Sequence, residues 1–162
     1  MGPLIEFEHV SFHYVTAQGP NIPALQDVSL NIAEGDFVAV VGGNGSGKST
    51  FARLVSALLV PNEGTVRVAG MDTRRPENRA RIHATVGMVF QFPEDQIVST
   101  TVEEDAAFGP ESLALPPEQI QRRVEESLRQ VGLWEMRQRS PHLLSAGQTQ
   151  RLALAGVLAM HP

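Results

Sequence analysis

Cysteine is absent from all 162 residues, which excludes a disulfide framework and a thiolate metal site and suits a reducing compartment. Long apolar runs are missing too. The longest, LVSALLV (54–60) and LALAGVLAM (152–160), fall well short of the roughly 20 residues of a membrane-spanning helix. The start, MGPLIEFEHV, has acids and no basic flank, which argues against a secretory signal. Work at a membrane would therefore go through a partner, from its surface. Net positive charge is also lacking: the formal charge of −5 argues against broad nucleic-acid binding, which needs a cationic surface to displace counterions. The basic stretch RRPENRAR (74–81) reads as a solvated helix start or loop. Lysine is the scarcest charged residue. Of thirteen basic residues, Lys48 alone is lysine and the rest are arginine.

What is present fits an ordinary globular domain, with 42% apolar and 19% charged residues. LIEFEHVSFHY (4–14) and ALQDVSLNI (24–32) alternate as half-buried strands, separated by a turn-rich loop at 16–23. DFVAVVG (36–42) is continuously apolar from Phe37 to Val41, as in a strand covered on both faces. KSTFARLVSALL (48–59) has helical spacing, residues 61–70 a turn and short strand, and ATVGMVF (84–90) the look of a second buried strand. Beyond Gln91 the character becomes helical. Residues 100–113 and 116–133 predict helices, the second with Ile120, Val124, Leu128 and Val131 on its core face, and a last helix starts near Ser145.

Gly42-x-x-x-x-Gly47-Lys48-Ser49 matches the P-loop pattern in the context it needs, after an apolar strand and before a helix. Glycines let the backbone turn through positive φ and approach a phosphate closely. Amide N–H groups and the helix's positive end then face the anion. A compact ammonium fits inside such a loop, where the wide planar guanidinium does not, which explains the solitary Lys48. Gly42, Asn44, Gly45, Ser46, Gly47, Lys48, Ser49 and Thr50 are the candidate nucleotide contacts. Ser49 can offer its hydroxyl oxygen to Mg²⁺, and Thr50 can donate toward the phosphates.

Leu144-Ser145-Ala146-Gly147-Gln148, about 95 residues after the P-loop and followed by TQRLALAGVLAMHP, resembles the signature motif and helix of ATP-binding cassette (ABC) ATPases. The usual motif is Leu-Ser-Gly-Gly-Gln, so Ala146 departs from it; contact through its backbone N–H survives unless that position needs positive φ. The resemblance covers the whole chain. VFQFPEDQIVSTTVEEDAAFGPE (89–111) is similar to the matching region of ATPase subunits in energy-coupling factor and cobalt-type importers.

The resemblance implies an α/β P-loop NTPase fold of the ABC type: an N-terminal antiparallel β part, a helical insert, and missing C-terminal strands. The division implied is a β-rich and P-loop part at 1–91, a helical subdomain at 92–150 and a signature helix at 145–160, within one incomplete domain, 1–162. Tyr14 falls where the family's adenine-stacking aromatic lies, although a plain strand aromatic would also fit there. Gln91 falls at the Gln-loop glutamine, with a role toward Mg²⁺ and water. Lys48 and Gln91 are thus the catalytic candidates, and Ser49 and Gln91 the metal candidates. Ser145, Ala146, Gly147 and Gln148 would reach ATP held by a second cassette, homologous or identical, and Ser145 would also cap its helix. Residues 91–100 are the candidate groove for a transmembrane component. The implied place of work is cytoplasmic, peripheral on the inner face of the membrane, driving import of a small solute such as a vitamin or metal ion.

In this family a buried strand ending in Asp-Glu follows the signature helix, and this chain reaches Pro162 without it. The resemblance places such strands between 37–41 and 86–90. Without them, unpaired backbone groups at about 1–3 kcal/mol each stand against a domain stability of about 5–15 kcal/mol. The expectation is a poorly stable fragment with negligible turnover, and an ATPase in a longer protein. A non-hydrolysing nucleotide-binding fragment and a soluble, non-transport ABC ATPase remain alternatives; a P-loop phosphotransferase is disfavoured by LSAGQ and the helical insert.

Overall fold

In the computed structural model, which describes residues 2–17 and 19–162, the alternation along IEFEHVSFHY forms β1 (Ile5–Tyr14). Gln18, inside the loop read at 16–23, and Met1 lie outside the described residues. The chain divides into two units, Met1–Val86 and Gly87–Pro162.

In the first unit, β1 is the second strand of an antiparallel sheet ordered β2-β1-β3-β4, with β2 (Ile22–Ile32), β3 (Glu63–Val68) and β4 (Met71–Asp72). Phe7 pairs with Leu30 and Val10 with Val28, so β1 holds one extra residue there; Phe12 then pairs with Leu25, and the extra residue is in β2. The β2 bulge offsets the β1 bulge, and a further shift in β2 follows between Phe12 and His13. The β1 bulge lets Phe7 and Val10, three positions apart, both face the core, at 2% and 0% exposure. His9 and Asp27 take up the strain at φ near +49° and +48°, and Nδ1 of His9 meets Oδ1 of Asp27 at 2.8 Å on the open face. The core beneath joins Phe7, Val10 and Phe12 to Val66 and Val68 of β3, to Ile82, and to Leu54 and Val55 of α1 (Lys48–Val55). Phe51 of α1 stacks on Phe7 with ring centres 4.8 Å apart.

Three expectations need correction. Helix α1 ends at Val55, short of 59, because Ala57 adopts φ +55° and the N–H groups of Leu58 and Leu59 turn back to the carbonyl of Arg53. Ala84 and Thr85 close a short helix, α2 (Arg79–Thr85), in place of starting a strand. Neither 36–42 nor 86–90 joins the sheet. A strand exists only through its pairing, and among the described residues neither run takes a place in the sheet. Phe37 is 100% exposed and Val41 87%.

The second unit packs α3 (Val102–Ser112), α4 (Pro117–Gln130) and α5 (Ala146–Met160) around Val102, Ala106, Val124, Leu128, Leu133 and Leu152. Both α3 and α5 open with a reciprocal capping box, Thr101 with Glu104 and Ser145 with Gln148. Arg123 donates to the carbonyl of Met160 and Arg151 to that of Val131, satisfying acceptors left over at the ends of α5 and α4. No helix among the described residues is long and apolar enough to cross a membrane.

Candidate functional site

The glycine loop enters α1 through Gly47, the residue before the first helical turn, at φ +90°. Two constraints fix glycine there: the left-handed backbone, and an added Cβ that would collide with the carbonyl oxygen of Ala24. Gly45, at φ +80°, is held by conformation alone, since a Cβ there meets nothing. Helix geometry leaves the N–H groups of Lys48, Ser49 and Thr50 without intrahelical acceptors, because the first bond of α1 runs from Phe51 N–H to the carbonyl of Gly47 at 2.8 Å. These donors, the loop amides and the positive end of α1 together form a cradle for an anion.

Lys48 folds back across the loop. Its Nζ donates to the carbonyls of Gly42 and Gly43, each at 2.8 Å. The ammonium is thereby poised over the loop, with a third proton to give. Asn44, Ser46 and Ser49 are exposed around it. Thr50 differs from the sequence reading. Its side chain is 5% exposed and its hydroxyl lies 3.1 Å from the Tyr14 hydroxyl, so its backbone N–H is what it offers an anion without rearrangement. That bond brings Tyr14 to the P-loop across 36 residues of chain. The Tyr14 ring is half-buried and meets Phe12 edge-on, with ring centres 5.0 Å apart. Beside Lys48, an open apolar groove of about 260 Å³ runs between β2 and the 38–41 run, lined by Leu25, Leu30, Val38, Val40 and Phe51.

Gln91 and the signature residues belong to the second unit. Gln91 is exposed at the end of the irregular run. Ser145 is the N-cap of α5; its Oγ accepts the Gln148 N–H at 3.4 Å, and its own N–H donates to Oε1 of Gln148 at 2.8 Å. Nε2 of Gln148 donates to Sδ of Met136 at 3.4 Å, so both ends of that amide are occupied. Ser145, Ala146 and Gly147 are exposed at the open end of the helix. Ala146 is the first helical residue and keeps negative φ, so its departure from glycine costs nothing in conformation. Met136 gave no sign in the sequence, because its partnership with Gln148 depends on how the 134–144 segment folds. The Tyr14–Thr50 bond was equally hidden, joining residues far apart in sequence.

A profile described as "ABC transporter" matches residues 25–162. The energy-coupling factor transporter ATP-binding protein EcfA1 of Clostridioides difficile is 48% identical over 162 residues, covering all of this chain and 58% of that protein. The structure of cbiO1 from Clostridium perfringens, part of the ABC transporter complex cbiONQ, superposes with a TM-score of 0.84 at 31% identity, covering 100% of this chain and 63% of that one. A dimeric post-hydrolysis state of the ATP-binding cassette MJ0796, bound to ADP and Pi, gives 0.86 at 32% identity, covering 98% and 70%. The chain spans 58% of the length of the first of these relatives.

Proposed function

We propose, for a chain that belongs to the ABC transporter family, that residues 42–50 bind the phosphates of ATP and that the longer protein hydrolyses ATP to drive solute import. The observation that carries this is Lys48, held over a glycine loop by two carbonyls at the head of α1. Its ammonium neutralises the β- and γ-phosphates while the loop and helix N–H groups bind their oxygens. Ser49, exposed in the first turn of α1, suits a Mg²⁺ ligand; the bound ion would draw charge from the phosphate oxygens. Tyr14, with its hydroxyl tied to Thr50, would present its ring to the adenine. Gln91 would serve the metal and the attacking water.

Ser145, Ala146 and Gly147, exposed at the capped end of α5, would complete the ATP site of a second cassette of the same or a related chain. The energy-coupling factor transporter relatives support a transport role; the cargo would be a small solute, such as a vitamin or metal ion, chosen by another subunit. The 91–100 segment would dock the transmembrane component, from the cytoplasmic face. Chain following residue 162 in the longer protein would cover Phe37–Val41 and supply the acidic groups of hydrolysis.

The test is Lys48→Ala in the longer protein, with ATP affinity measured by equilibrium binding. Losing the charge-assisted hydrogen bond that the third ammonium proton gives, up to about 3 kcal/mol, weakens binding by up to roughly a hundredfold. Unchanged affinity would remove the basis of the assignment.

A further inference from the structure

Asp105 is an acid the nucleotide site does not use. It lies in the first turn of α3 and is 8% exposed. Its Oδ1 accepts the backbone N–H groups of Val98 at 2.9 Å and Ser99 at 3.2 Å. Among the described residues it has no cationic partner. Nor does it cap α3, since Thr101 and Glu104 already exchange those bonds. Its hydrogen bonds go upstream, to backbone outside the helix.

That backbone needs them. Residues 97–101 belong to no sheet or helix, so no ladder sets their course. Ile97 packs against the core of the second unit while its neighbour Val98 is 63% exposed. Fixing the amides of 98 and 99 decides which of the two apolar side chains turns inward. A matching anchor holds the other end, where Phe90 N–H donates to Oε1 of Gln96 at 2.9 Å. Between the anchors, Phe92 and Val98 stand exposed beside the exposed acids Glu94 and Asp95. A buried carboxylate retained without a counter-charge, on a segment that presents apolar side chains to water, is explained by shaping that segment.

We infer that Asp105 is a positioning residue for docking: its carboxylate presets the 97–99 backbone so that Val98 faces the transmembrane component. This rests on the reading that residues 91–100 form the docking segment. A preset loop loses less conformational freedom on association than a loose one, and the partner binds more tightly for it. The charge of the segment, two exposed acids and no base between 91 and 100, suits a partner surface of apolar side chains flanked by arginine or lysine.

The experiment uses the longer protein and its detergent-solubilised transmembrane component, with Kd measured for wild type, Asp105→Ala, Asp105→Asn and Val98→Asp, and ATP affinity measured in parallel. Asp105→Ala weakens docking about tenfold and leaves ATP affinity unchanged. Asp105→Asn keeps an acceptor oxygen and restores most of the loss. Wild-type docking by Asp105→Ala overturns the inference, as does equal impairment of the alanine and asparagine variants. Wild-type docking by Val98→Asp overturns the docking reading itself, a separate failure. Should Asp105→Ala not fold, amide exchange in the wild-type protein decides: Val98 and Ser99 are protected if the carboxylate holds them, and exchange at the rate of a free peptide overturns the inference.

Discussion

The apolar stripe of α4 and the apolar run at 37–41 are equally suited to burial by composition, yet only the stripe is buried. Val124 and Leu128 are 2% and 0% exposed, whereas Phe37 is 100% exposed. The difference lies in the backbone. A helix satisfies its N–H and C=O groups within itself and needs others only to cover its side chains. A strand needs a neighbour for both. Helices α3 and α5 cover α4 from within the same 76 residues, Gly87–Pro162, so the second unit closes its core from nearby chain. The first unit closes one face of its sheet with α1 and leaves the 37–41 run without cover.

Leu128→Ala is the largest break available to this comparison. Leu128 sits at 0% exposure in the core of the second unit, and truncating such a leucine costs about 2–5 kcal/mol. Urea denaturation of the 162-residue chain, followed by its helical signal, measures this. A loss below about 1 kcal/mol would mean that the helical core is not closed as described.

The same contrast explains what could be read in advance. Helical spacing located α3, α4 and α5, and the Ser145 cap marked where α5 begins, because those signals are local. The P-loop was legible for a related reason: glycine at 47 is demanded by φ and by the nearness of Ala24. The strands expected at 36–42 and 84–90 carry the right composition and fail on pairing, which no local pattern encodes. The bulges at His9 and Asp27 were hidden because neither is glycine, and only the register between β1 and β2 reveals them. The early stop of α1 at Ala57 was hidden likewise. Asp105 follows Glu103 and Glu104 in the first turn of α3; that it turns to Val98 and Ser99 while Glu104 caps is a matter of side-chain direction, which no local pattern encodes.

A smaller effect tests the local closure of the helical unit. Thr101 accepts the Glu104 N–H and Glu104 answers through the Thr101 N–H, so Thr101→Ala costs about 1 kcal/mol near neutral pH. Hydrogen bonds from the hydroxyl of Thr100 and from Thr101 hold the Glu104 carboxyl below its ordinary value of 4.5. A depressed acid contributes stability above its unfolded pKa and loses it as pH falls through the folded one. The gap between wild type and Glu104→Ala, which lacks the titrating carboxyl, therefore narrows in denaturation series taken below pH 4.5. A gap that stays constant down through that range would detach Glu104 from the cap.

The smallest effect sharpens the comparison most. Phe37 is already in water, so Phe37→Ser in the 162-residue chain removes no burial and shifts stability by no more than about 0.5 kcal/mol. The longer protein is proposed to cover this run, and there the same substitution would remove a packed ring at about 3 kcal/mol or more. Paired denaturation curves, one set per chain length, give the difference directly. A large loss in the short chain would show that Phe37 already has cover within these residues. Small losses in both would show that no later strand covers it, and that the run beside the P-loop is surface in the longer protein as well.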